Sequence, residues 1–213
     1  MSPSSREYGT PSMKCVVSGE RGCVIARSKE AKMLGIPMGI PLFQAVEKYP
    51  KGIYITANHY AYTKISHMVM DILKSYSPNV QVYSIDEAFV DFTGLTKLYK
   101  KNYYKLAKEL QERIRQEVDI PVSIGIGRTK TIAKLASDKS KNTGSHICLA
   151  GKAKLPELLK HTDIQEVWGI GRKLGVKLHG LGVRSAFDYI QKDDNWLKTR
   201  FGKNGLTIKA ELL

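Results

Sequence analysis

Cysteine is scarce in this chain and poorly placed for cross-linking. Cys15, Cys23 and Cys148 are odd in number and form no C-x-x-C pair. That excludes a disulfide framework and a zinc knuckle, and a reducing compartment is expected. His59, His67, His146, His161 and His179 share no metal-ligand spacing with one another or with cysteine, so histidine supplies no metal site. Long apolar runs are missing too. No run approaches the length that crosses a bilayer, and residues 1–20 lack the apolar stretch of a signal peptide, so a cytoplasmic protein without membrane contact is expected. Acidic residues are few: 20 Asp and Glu stand against 34 Lys and Arg, leaving a formal charge of +14 on 213 residues. Such an imbalance favours a polyanionic partner such as nucleic acid or an anionic membrane face; the plain alternative is a basic soluble protein without one.

The 42% hydrophobic content is enough for a sizeable core, in one large or two small domains. Residues 1–14, rich in Ser, Pro and Gly, show no periodicity and are expected to be poorly ordered or a remnant of a longer segment. Short strands follow around Val16–Val17 and Cys23–Ile25. Ser28 to Leu34 reads as a short helix closed by Gly35, and Pro41 to Pro50 brackets a second. After a strand at Ile53–Ile55, the spacing of Ala61, Ile65, Met68, Val69, Ile72, Leu73 and Tyr76 predicts an amphipathic helix up to Pro78. Two apolar runs, Val80–Ile85 and Ala88–Phe92, flank Asp86-Glu87 as a hairpin would. A helix through Tyr103, Leu106, Leu110 and Ile114 comes next. The strand V-S-I-G-I-G then carries Gly125 and Gly127 on one face, a sign of close approach by a neighbour or a ligand. A helix over Thr131–Lys141 completes an α+β layer with helices on one face of an antiparallel sheet. Beyond Gly151 only short helices and glycine turns are predicted, so a domain boundary falls there.

Asp86 and Glu87 are the sharpest chemical feature. Two carboxylates at the tip of an apolar hairpin repel unless a cation lies between them, and an oxygen-only ligand set suits magnesium or manganese. A solvated acidic turn is the plain alternative. Arg128, Lys130 and Lys134 sit where V-S-I-G-I-G passes into a helix, and a helix N-terminus beside lysines suits phosphate. From Arg128 to Lys154 there are seven Lys or Arg and one acid, Asp138, more one-sided than a solvated helix face needs. Metal-assisted phosphoryl or nucleotidyl transfer uses such parts. A third feature is V-W-G-I-G-R-K from Val167, followed by a second glycine turn at Gly180-Leu181-Gly182. Apolar-Gly-apolar-Gly between short helices is the helix-hairpin-helix pattern, in which backbone N–H groups at Gly169, Gly171, Arg172 and Lys173 would bind a DNA phosphate without reading sequence; a tight turn in a small helical bundle is the alternative.

Four blocks, taken in order, resemble the Y-family polymerases of the UmuC-like branch: G-C-V-I-A-R-S-K-E-A-K-M-L-G-I from Gly22, Y-S-I-D-E-A-F from Tyr83, S-I-G-I-G-R-T-K-T-I-A-K-L-A from Ser123, and V-W-G-I-G-R-K-L from Val167. The resemblance implies small fingers over residues 15–58, a palm over 59–147 and an all-helical thumb over 151–213. It implies that Asp86 bridges two Mg2+ ions and that Glu87 binds the ion activating the primer 3′-hydroxyl. Lys32 and Lys130 would hold the incoming triphosphate, with Ala26 and Lys29 over the new base pair. Primer-template DNA and a deoxynucleoside triphosphate are the implied partners, with a sliding clamp, a recombinase filament and a UmuD-like subunit; lesion bypass, DNA repair and the SOS response are the implied setting.

Two departures bear on activity. Family members open with a strand that carries the first metal-binding aspartate and an aromatic gate against ribonucleotides, whereas the acids before residue 30 are Glu7 and Glu20, neither in that motif. The match ends at Leu213, within what resembles a late thumb helix, so a chain truncated relative to the family is expected, with a non-catalytic DNA-binding fragment as the alternative. A palm-type nucleotide cyclase is a weaker one, because its hairpin needs paired glycines where Ser84-Ile85 stand and it has no use for a helix-hairpin-helix.

Overall fold

The computed structural model describes residues 15–18 and 22–213, the first four as backbone only. The expectation for residues 1–14, together with Glu7 and Glu20, lies outside the described residues. The chain forms two compact units, one ending at Lys64 and the other beginning at Ile65.

In the first unit β1 (Cys15–Ser18) pairs antiparallel with β2 (Val24–Arg27). The helices α1 (Lys29–Met33) and α2 (Leu42–Lys48) follow, and then β3 (Ile53–Thr56), which pairs parallel with the other edge of β1. Ser28 begins α1 by accepting the Ala31 N–H at 3.1 Å, and Gly35, at φ +75°, takes the left-handed conformation that ends it. Val24, Ala31, Ile36, Ile40 and Ala45 make the small core. The Tyr54 hydroxyl donates to the carbonyls of Ala45 (2.8 Å) and Tyr49 (2.9 Å), tying β3 to the end of α2.

The unit boundary falls within α3 (His59–Tyr76). In the second unit β4 (Val80–Val82) and β5 (Ala88–Val90) form the expected antiparallel hairpin, followed by α4 (Leu95–Leu98) and α5 (Tyr103–Val118). Met70, Ile72, Leu73 and Tyr76 of α3 meet Leu110 and Ile114 of α5 in one core, over which Val80, Ala88 and Val90 pack. Ile72, Leu73 and Tyr76 are apolar positions read from the sequence, whereas Met68, expected on the same face, is exposed and Met70 is buried in its place. Next come β6 (Ile124–Ile126), α6 (Lys130–Ser140) and β7 (Ile147–Leu149). The α+β fold class stands, with one difference of detail. The β6–β7 ladder is parallel, because α6 returns the chain to the end of β6 from which it started, as a crossover connection must. Sequence spacing gave no sign of β7, a three-residue strand after a Thr-Gly turn. Among the described residues the two ladders, β4–β5 and β6–β7, are not hydrogen-bonded to each other.

After Ala150 the chain is helical: α7 (Leu155–Lys160), a single 3-10 turn at Ile164–Glu166, α8 (Arg172–Gly180), α9 (Ala186–Ile190) and α10 (Asp194–Glu211), which bends at Gly202 where φ is +64°. Their core includes Leu159, Ile164, Val167, Leu178, Tyr189, Leu197 and Leu212 and reaches Leu135 of α6. Among the described residues no helix is long and apolar enough to cross a membrane.

Candidate functional site

The carboxylates sit where the hairpin turns. The N–H groups of Tyr83 and Ser84 both donate to the Glu87 carbonyl, at 2.9 and 3.0 Å, closing a tight loop that holds Asp86 at its tip. Ser84 Oγ donates to Asp86 Oδ1 at 2.6 Å and orients that carboxylate. Strand alternation sets the rest. Gln81 pairs with Phe89 in the ladder and Tyr83 with Glu87 at its end, so these four share one face. Val80, Ala88 and Val90 take the other face, toward the helices.

The cationic corner after β6 closes on that shared face. Lys134 Nζ pairs with Glu87 Oε1 at 2.5 Å and lies 5.6 Å from the Tyr83 ring. Lys130 donates to Gln81 and lies 5.9 Å from the Phe89 ring. Arg128 is exposed. The corner is possible because β6 and α6 touch almost backbone to backbone. A Cβ at Gly125 would come within 2.0 Å of the Ala133 carbonyl oxygen, and one at Gly127 within 2.6 Å of the Ala133 nitrogen. The close neighbour announced by these two glycines is α6.

A cleft of about 1230 Å³ runs past the hairpin and the corner, lined by Asp86, Glu87, Arg128, Lys130 and Lys134 among others. Asp91 also lines it, held below the usual carboxylate range by hydrogen bonding from Thr93, whose N–H lies 2.8 Å from Oδ1. Among the described residues no three or more His, Cys, Asp or Glu side chains gather around a possible metal position. Asp86 and Glu87 are therefore a pair, and one of the pair already faces a lysine.

The start of α6, expected to be open for phosphate, carries an anion from the same chain. Thr129 caps the helix by accepting the Ile132 N–H at 3.2 Å. Glu211 of α10 reaches its first turn, accepting from Thr131 Oγ1 at 3.0 Å and, more distantly, from Thr131 N at 3.4 Å. A carboxylate gains from the positive end of the helix as a phosphate would. No sequence spacing links positions 131 and 211, so this contact could be seen only in three dimensions.

The glycine turn takes the expected form with one change: the element before it is the 3-10 turn Ile164–Glu166 rather than an α-helix. Ile170 N–H closes on the Val167 carbonyl at 2.9 Å, and Gly169 adopts φ +92°, open only to glycine at little cost. Gly171 precedes α8, so the N–H groups of Arg172 and Lys173 belong to the free first turn of a helix. Gly169, Gly171, Arg172 and Lys173 are all exposed. In the first unit Ala26 lies on β2 and Lys29 and Lys32 on α1, all exposed.

The fold is that of a Y-family polymerase catalytic domain, as a Y-family chimera of Dbh and Dpo4 shows at TM-score 0.79 and 28% identity over 94% of this chain and 60% of that one. Residues 7–138 match the impB/mucB/samB family and residues 152–183 match the IMS family HHH motif, so the chain belongs to the impB/mucB/samB family. A DNA polymerase IV of Sulfurisphaera tokodaii is 33% identical over 198 residues, covering 92% of this chain and 56% of that protein. Protein UmuC of Salmonella typhimurium is 34% identical over 188 residues, covering 85% of this chain and 44% of that protein. Among solved structures, a Dbh ternary complex superposes at TM-score 0.79 with 28% identity over 93% of this chain and 59% of that one. The chain thus spans about half the length of the curated relatives it matches.

Proposed function

We propose that this chain is the fingers (15–58), palm (59–147) and thumb (151–213) part of a lesion-bypass DNA polymerase that binds primer-template DNA and a deoxynucleoside triphosphate. The observation that carries the reading is the hairpin of Y-S-I-D-E, with both carboxylates at its closed end and Lys134 and Lys130 against its outer face. Asp86 and Glu87 are the residues that would help hold Mg2+ or Mn2+, whose role would be to stabilise charge on transferring phosphate. Lys130 and Lys32 would meet the triphosphate, and Ala26 and Lys29 the nascent base pair. Gly169, Gly171, Arg172 and Lys173 would hold a DNA phosphate through backbone N–H groups and charge. A sliding clamp, a recombinase filament and a UmuD-like subunit rest on the resemblance alone and belong to the same proposal, as do DNA repair and the SOS response.

The described residues do not fit a centre for two ions. Two-ion transfer asks for carboxylates that hold both ions about 3.5–4 Å apart. Among the described residues two acids are available and no third gathers with them. This favours a second reading for the 213-residue chain taken alone, a DNA-binding polymerase core with little or no synthesis of its own. Titrating labelled primer-template DNA at rising salt tests the common part of both readings. Affinity that falls steeply with salt and is the same for unrelated sequences supports them, because phosphate contacts release counterions and carry no base information. Salt-independent binding, or binding confined to one sequence, contradicts them.

A further inference from the structure

Trp168 belongs to the glycine turn, yet its side chain leaves the turn and lies on the carboxylate hairpin. Its ring stacks on Phe89, with 5.6 Å between centroids and 12° between planes, and meets Tyr83 edge-on at 5.1 Å. Tyr83 and Phe89 meet each other at 6.0 Å. The three rings form one closed cluster, and the ammonium groups of Lys134 and Lys130 lie over its Tyr83 and Phe89 members. The same Lys134 pairs with Glu87. A phosphate-binding turn requires none of this. Its chemistry is in backbone N–H groups and in the positive φ of Gly169, and an indole at position 168 adds nothing to either.

What the indole does add is a fixed separation and orientation. Flat stacking restricts sliding and tilt in a way that a simple apolar contact does not. Phe89 is two residues beyond Glu87 on the same strand face, and Tyr83 is Glu87's partner across the turn. The rings that Trp168 grips are therefore those nearest the carboxylates on that face.

We propose that Trp168 is a positioning residue that clasps the phosphate-binding turn to the carboxylate hairpin, so that DNA held at Gly169–Lys173 is presented to Asp86 and Glu87 in one register. The inference rests on the polymerase reading of those two sites and names the part that keeps them aligned.

The test uses the full chain and a primer-template whose primer 3′-terminal nucleotide carries a photoreactive group. Two quantities are read, the Kd for that DNA and the yield of cross-link to the hairpin peptide at saturating DNA. The parent chain cross-links to the hairpin. W168A keeps its DNA affinity within about threefold, since backbone phosphate contacts persist. Its cross-link yield falls roughly tenfold or more, because such capture needs atoms within about 3–3.5 Å. W168F, which can still stack, restores the yield, and W168L, which fills space without stacking, does not. Should W168A fail to fold, the contrast between W168F and W168L decides. Equal cross-linking by the parent and W168A, or equal rescue by W168L and W168F, overturns the inference and leaves the polymerase reading intact. A parent chain that binds no DNA overturns both.

Discussion

Gly125→Ala tests whether the cationic corner depends on backbone contact between β6 and α6. The added methyl would lie 2.0 Å from the Ala133 carbonyl oxygen, 2.1 Å from the Ser137 nitrogen and 2.8 Å from the Ala136 carbonyl carbon, where ordinary contact begins near 3.4 Å. Each obstacle is helix backbone, which no rotamer change can move. The helix must therefore retreat by about 1.4 Å, the difference between 3.4 and 2.0 Å. Overpacking of this kind costs about 1–3 kcal/mol, and a backbone clash belongs at the upper end or beyond. For a chain of this size about 3 kcal/mol corresponds to a Tm lower by roughly 6–12 °C. Lys130 and Lys134 ride on the same helix, so their contacts with Gln81 and Glu87 should loosen with it. Thermal melting followed by circular dichroism reads the effect, with Gly144→Ala as the control because nothing lies within 4 Å of its added methyl. A Gly125→Ala chain that melts within about 2 °C of the parent while Gly144→Ala behaves alike would refute the argument.

Three further outcomes follow from named contacts. Replacing Arg172 and Lys173 together by Ala should weaken DNA binding about equally for unrelated sequences and flatten its salt dependence, measured by fluorescence anisotropy. Tyr189→Phe should cost about 1–3 kcal/mol in chemical denaturation. The buried hydroxyl, pushed up to about 12 by desolvation, donates to the Gly205 carbonyl at 3.0 Å, and its loss leaves that carbonyl without the bond. Hydrogen bonding from the Ser185 and Arg184 N–H groups holds Asp188 below the usual aspartate range. A lowered folded-state pKa gives stability that is present above the unfolded-state value and lost as pH falls through the folded one. The parent should therefore melt above Asp188→Asn at pH values over the ordinary aspartate range, and that advantage should shrink as pH falls, so the melting temperature of Asp188→Asn should vary less across the acidic range.

Much of the fold could be read from sequence because its signals are local. Apolar residues at helical spacing gave α3 and α5, Ser28 and Gly35 bounded α1, and Asp86-Glu87 between apolar runs gave the hairpin. β7 escaped because three residues carry no periodicity, and the parallel ladder escaped because direction follows from the α6 crossover rather than from composition. At the site, residue types were legible and partners were not. Lys134 was seen as part of a cationic corner, but its pairing with Glu87 joins positions 47 apart. The clasp of Trp168 on Phe89 and the Glu211 carboxylate at the start of α6 are likewise meetings of distant segments, set by how the helical part packs on the strands.

The polymerase fold is shown, whereas DNA binding and a shortage of carboxylates for two-ion transfer among the described residues are proposals, and primer extension tests them most directly. Purified chain, shown to bind the primer-template, is incubated with deoxynucleoside triphosphates in magnesium and in manganese beside Asp86→Ala. The account predicts bound DNA and no extension above that of Asp86→Ala. Robust extension by the parent, abolished by Asp86→Ala, would contradict it and show that a group outside the described residues completes the site.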